Sequence, residues 1–193
     1  MDSPYPVTFS VDYPDRDLNR WSTFFRIFAA IPIGIVLAGI TNGSSGVLFL
    51  PVLLMVLFRR KYPRWWFDWN LQLLRFSNRV SAYIFLMDDR YPSTDEQQAV
   101  HLDFPYPDAQ LGLKRWLPLV KWLLAIPHYV VLFFLSIAAL VVYLISWFAI
   151  LVTGRYPRGM FTFLEGVLRW TNRVTGYAFI LVTDVYPPFR LAP

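Results

Sequence analysis

Apolar residues alternate at a spacing of two over Val7, Phe9, Val11 and Tyr13 and again over Val100, Leu102 and Phe104, the period of a half-buried β-strand. Pro6, Pro14, Pro105 and Pro107 flank these stretches, so both strands are expected to be short edge strands. Each leads into a basic-aromatic threshold, Arg20-Trp21 or Arg115-Trp116, and then into a run without Asp, Glu, Lys or Arg. The two runs, Ile27 to Phe58 and Trp122 to Gly154, hold 32 and 33 residues. A single membrane span needs about 20.

In the first run, Thr41-Asn42-Gly43-Ser44-Ser45-Gly46 interrupts the apolar pattern with turn chemistry, which predicts the tip of a helical hairpin. The Asn42-Gly43-Ser44 sequon is read as part of that turn. Two arms and a tip between Trp21 and Phe58 leave about 16 residues, roughly 24 Å, per arm. That is shorter than a bilayer core of about 30 Å, so the hairpin either thins the bilayer or is re-entrant. The second run has only Ser136 near the equivalent point, and its turn is expected by analogy.

After Tyr62-Pro63-Arg64 and Tyr156-Pro157-Arg158 the polar period changes to three and four. Asp68, Gln72, Arg75, Asn78 and Arg79 form one stripe; Glu165, Arg169, Asn172 and Arg173 form the other. Phe, Trp, Leu and Val lie opposite, as in a helix resting in the membrane interface with its arginines toward headgroups. Arg75, Arg79, Arg169 and Arg173 are therefore candidate contacts for anionic lipid headgroups, since a guanidinium grips phosphate with two hydrogen bonds.

The two halves repeat each other. At a spacing of 95, Leu18, Arg20, Trp21, Ala30, Ile31 and Pro32 return as Leu113, Arg115, Trp116, Ala125, Ile126 and Pro127. At a spacing of 94, Tyr62, Pro63, Arg64, Arg75, Asn78, Arg79 and Tyr83 return as Tyr156, Pro157, Arg158, Arg169, Asn172, Arg173 and Tyr177. So many matches in one order predict a duplicated chain, repeat 1 over residues 1–92 and repeat 2 over 93–193. The expected fold is an all-α membrane protein of two parallel repeats. Each has a strand segment, a short transmembrane or re-entrant hairpin and an amphipathic interfacial helix.

Charge placement bears on orientation. All 18 Lys and Arg lie outside the two uncharged runs, and matched positions carry the same sign. An even number of crossings per half keeps every basic cluster on one side, so the basic side is expected to be cytoplasmic in a multi-pass cell-membrane protein. A rival arrangement makes each uncharged run one long tilted helix and the following helix its return span. It has the same parity, but draws Arg75 and Arg79, or Glu165, Arg169 and Arg173, toward hydrocarbon. Each such charge costs about 2.5 to 3.5 kcal/mol at the centre unless a paired helix shelters it.

Composition sharpens the picture. Of 193 residues 56% are hydrophobic and only 16% charged, with mean hydropathy +0.41. The net charge of +5 is assigned to membrane orientation and anionic headgroups rather than nucleic acid. No cysteine is present, which excludes disulfides and thiolate chemistry. Met1-Asp2-Ser3-Pro4 lacks a basic n-region, so no cleavable signal peptide is expected. His101 lies in a strand, and His128 is expected to be a polar residue at the membrane edge. No metal-binding, phosphate-loop or nucleophile-elbow spacing occurs, and neither a cofactor nor catalysis is expected. Asp88-Asp89-Arg90 and Asp184 read as salt-bridge or helix-end residues. Ala30, Gly34 and Ala38 make a smooth helix face for close packing.

The strings Ala125-Ile126-Pro127-His128, Thr153-Gly154-Arg155-Tyr156-Pro157, Arg169-Trp170 with Arg173-Val174, and Tyr186-Pro187-Pro188-Phe189 together resemble a prokaryotic membrane family classed as domain of unknown function 4389. That family often occurs in tandem. The resemblance implies a prokaryotic cell-membrane protein and supplies no reaction or catalytic residue. The first half departs from it at Ile33, Arg60 and Ser93, where the second has His128, Gly154 and Pro188. The leading expectation is a non-enzymatic scaffold or accessory subunit that contacts membrane lipids and either a membrane-protein partner or further copies of itself. The alternatives are a lipid or small-molecule transporter or channel, and an enzyme acting on lipid headgroups.

Overall fold

The computed structural model describes residues 5–44, 53–109 and 112–193, with 42–44 as backbone only. It is mostly helical, with a two-stranded sheet. Strand β1 (Thr8–Val11) pairs antiparallel with β2 (Val100–Asp103), with Phe9 opposite Leu102 and Thr8 opposite Asp103. The alternation seen in the sequence is the alternation of burial: Phe9, Val11, Val100 and Leu102 face inward. Two strands alone are marginal in water. This ribbon is held by the helices packed on it.

Helix α1 (Arg20–Ser44) starts where the Asn19 side chain accepts hydrogen bonds from the Trp21 and Ser22 amides, an N-cap that satisfies two orphan donors. Helix α2 (Arg64–Ile84) packs antiparallel to it, with Arg26 beside Tyr83 and Ile33 beside Phe76 and Val80. In the second half a short helix α3 (Pro118–Leu124) leads into α4 (Ile126–Thr153) and then α5 (Arg158–Thr175). Helix α5 runs antiparallel to α4: Ser146 meets Met160 near one end and His128 meets Trp170 toward the other. Single π-helical turns at Met55–Arg59 and Gly176–Ile180 precede left-handed residues Arg60 and Leu181.

Two expectations are corrected. The second uncharged run is one helix through Ser136, not a hairpin. Serine does not break a helix when its hydroxyl bonds a carbonyl one turn back, as Ser136 does with Phe133. The break falls instead at Ala125, two residues before Pro127, between α3 and α4. The pairing of α4 with α5 is that of the rival arrangement. In the first run Thr41 to Ser44 are helical, while the expected tip residues Ser45 and Gly46 lie outside the described residues.

The second correction concerns the polar stripes of α2 and α5, whose asparagines and later arginines turn inward while Asp68 and Gln72 stay exposed. Asn78, Arg79, Arg169, Asn172 and Arg173 are buried. The carbonyls of the ribbon and of the segments after each helix offer fixed acceptors, so each arginine of the stripes donates to at least one of them. Between them the Asn78 and Asn172 carboxamides exchange hydrogen bonds of 2.8 and 2.7 Å.

Candidate functional site

The arginines come together because both amphipathic helices rest on one ribbon. Arg75 Nε donates to the Leu102 carbonyl and Arg169 Nε to the Phe9 carbonyl, each at 2.9 Å. Thus each helix reaches the strand of the other half. One turn further along, Arg79 Nη1 donates to Ser93 O at 2.8 Å and Arg173 Nη1 to Arg190 O at 3.2 Å. All four expected arginines line one cavity of about 710 Å³, together with Arg190 and the walls formed by Tyr5, Val7 and Val100.

The electrostatics of this cavity are uneven. Arg169 is neutralised by Glu165 at 2.6 Å, and Arg75 approaches Asp103 at 3.4 Å. Among the described residues neither Arg79 nor Arg173 is ion-paired with a carboxylate, and the Nε of each has no hydrogen-bond partner. Burial lowers the pKa of both guanidiniums, and neighbouring cations add to it: Arg75 for Arg79, Arg169 and Arg190 for Arg173. Asp95 opposes this at Arg79. Tyr5, whose ring lies 5.7 Å from the Arg173 guanidinium carbon, is raised by burial despite that cation.

Other residues singled out in the sequence lie elsewhere. His128 is fully buried rather than at an edge: its Nδ1 accepts from Trp170 Nε1 at 3.0 Å, and its ring stacks on Phe189. The apolar body of the ring suits that slot, and the indole N–H satisfies one nitrogen. His101 is exposed in β2 beside Asp12, 3.0 Å away. Asp88 pairs with Arg90 and Arg16, as a local salt-bridge residue does. Asp89 and Asp184 reach farther, to buried Arg26 and Lys121. A side chain at Gly34 would meet nothing within 4 Å, whereas Ala30, one turn before it, is buried.

Among the described residues no three His, Asp or Glu side chains are gathered as a metal ion would require. Arg190 and Tyr5 were not singled out in the sequence. Arg190 directly follows the Tyr186-to-Phe189 string but sits on no helical stripe, so no periodicity marks it.

No curated protein and no solved structure matches the chain. Residues 116–190, which include Arg169, Arg173 and Arg190 and exclude Arg75 and Arg79, match the family model described as Domain of unknown function (DUF4389).

Proposed function

We propose that the chain is a non-enzymatic integral membrane protein of two repeats, acting as a scaffold or accessory subunit of a membrane assembly. The observation that carries this reading is the outer surface of α1 and α4. Only 22% and 17% of their apolar spans are buried, whereas the core helix of a soluble protein is mostly covered. Phe28, Ile35, Phe133, Phe134, Phe148 and Val152 are exposed. An apolar surface this continuous needs lipid or a partner against it. At 1.5 Å per residue α4 is about 42 Å long, enough to cross a core of about 30 Å with tilt.

The duplication is supported by contacts that recur at the sequence offset of the two halves. Arg26 with Asp89 corresponds to Lys121 with Asp184, and the Tyr62 hydroxyl on Ile180 O to the Tyr156 hydroxyl on Phe85 O. The Phe9–Leu102 and Asn78–Asn172 pairs lie on the line relating the halves. Leu18 N–H donates to the Gly154 carbonyl and Trp147 Nε1–H to the Thr23 carbonyl, so α1 starts beside the end of α4 and the two run antiparallel. Crossing by both makes the repeats inverted, not parallel as the charge placement alone suggests. The open space beside Gly34 of α1 offers a partner helix a close approach.

The arginine cavity favours a second reading, a transporter of a small molecule or lipid. The exposed faces of α1 and α4 lie outside that cavity, so the scaffold is the better supported of the two.

The test uses the cysteine-free chain in its native membrane. The protein should resist alkaline carbonate extraction, Arg64→Cys and Arg158→Cys should react with an impermeant maleimide from opposite sides of the membrane, and a partner should co-purify in mild detergent. Release into water without detergent overturns the membrane reading, and labels in one compartment overturn the crossing of both α1 and α4. A lone chain that catalyses flux in liposomes replaces the scaffold with the transporter.

A further inference from the structure

Arg79 and Arg173 are 7% and 3% exposed, and each spends one donor on a backbone carbonyl. The Nε–H of each is buried without an acceptor. A buried guanidinium without a counter-charge is costly, and the cost falls when an anion enters. The cavity holding them is lined by five arginines, while the carboxylates within 4 Å of any of those arginines, Glu165 and Asp103, already face Arg169 and Arg75.

We propose that this cavity is a binding site for a phosphate-bearing anion, drawn by the arginines of its wall, of which Arg79 and Arg173 have no carboxylate partner. The arginines approach from two helices on either side of the Asn78–Asn172 pair. A wall carrying several guanidiniums from two helices suits a tetrahedral group with several acceptor oxygens better than a planar carboxylate, which one fork can saturate. A volume of about 710 Å³ exceeds a bare phosphate and leaves room for the organic part of a phosphomonoester against Val7 and Val100. The cavity lies on faces of α2 and α5 other than those that meet α1 and α4, where Phe76, Val80, Trp170 and Val174 pack. Two guanidiniums related by the offset of the two halves line this one cavity, and neither has a carboxylate partner among the described residues.

This inference does not rest on the scaffold reading. Loss of a partner leaves it standing, and loss of phosphate binding leaves the scaffold standing. The experiment is calorimetric titration of the full chain in nanodiscs. Glycerol 3-phosphate and inorganic phosphate are titrated against chloride at matched ionic strength, and a third arm uses nanodiscs with or without phosphatidate. Saturable binding of glycerol 3-phosphate, competed by inorganic phosphate, supports a soluble ligand. Competition by phosphatidate in the disc assigns the same site to a lipid headgroup.

Arg79→Gln with Arg173→Gln should weaken binding by about tenfold or more, the worth of one charge-assisted hydrogen bond. Arg64→Gln, outside the cavity, should leave it unchanged. Should the double variant fail to fold, exposed Arg190→Gln serves in its place and should weaken binding severalfold. No binding by any of the three probes, or equal affinity in the folded cavity variants, overturns the proposal.

Discussion

Arg60 and Gly154 occupy matching places, each capping the helical stretch that closes an uncharged run, and both are left-handed, with φ of 49° and 76°. Glycine adopts that conformation freely, whereas an L-residue gives up about 1 kcal/mol. A Cβ at Gly154 would meet nothing closer than 3.7 Å, so any cost of adding one is in the backbone. Gly154→Ala is expected to lower stability by about 1 kcal/mol, and Arg60→Gly to leave it within a few tenths of that or raise it. Thermal unfolding of both variants in detergent checks this, and an unchanged melting temperature for Gly154→Ala refutes it. The sequence showed arginine standing where its counterpart is glycine. It did not show that both residues hold the same backbone shape, because a side chain identity leaves φ open.

At the scale of elements, α2 and α5 are joined through the reciprocal carboxamide pair of Asn78 and Asn172. Each amide also donates to the carbonyl four residues before it, Leu74 or Leu168, so both are anchored to their own helices. Truncating one leaves the other with a buried, unsatisfied group, at a cost of about 1 to 3 kcal/mol. Asn78→Ala and Asn172→Ala should each destabilise by that amount. Asn78→Leu with Asn172→Leu should cost less than the two alanine changes summed, because no lone polar group remains. A double-mutant cycle by denaturant unfolding in detergent measures the coupling, and strict additivity would contradict the pair. The stripe containing these asparagines was legible from spacings of three and four. Its partner was not: periodicity reports that one face is polar without reporting what satisfies it. The same blindness hid the continuous α4, since a lone serine marks a turn only by analogy with the other half.

Across the whole molecule, buried cations tie the helices of the uncharged runs to the segments that follow α2 and α5. Lys121 is fully buried, with Nζ 2.7 Å from both Asp184 Oδ1 and Thr183 O. Burial lowers its pKa and Asp184 opposes the shift, so the ammonium depends on that carboxylate. In the first half Arg26 binds Asp89 and the carbonyls of Tyr83 and Asp88. Lys121→Met alone should strand Asp184 and cost about 3 to 5 kcal/mol, and adding Asp184→Asn should restore part of it. Chemical unfolding of the single and double variants gives the comparison; a double variant no more stable than the single one would show that the pair is not coupled.

Chain order alone determined the two strands, the two long stretches without charge, the paired amphipathic helices and the four arginines at matching places. Each of these is a local matter of spacing and of which residues water or lipid accepts. Tertiary structure alone decided that the arginines of both stripes line one cavity, that Arg190 joins them and that His128 is enclosed. Those outcomes depend on which surface each helix meets, and a stripe that suits headgroups suits buried carbonyls equally well.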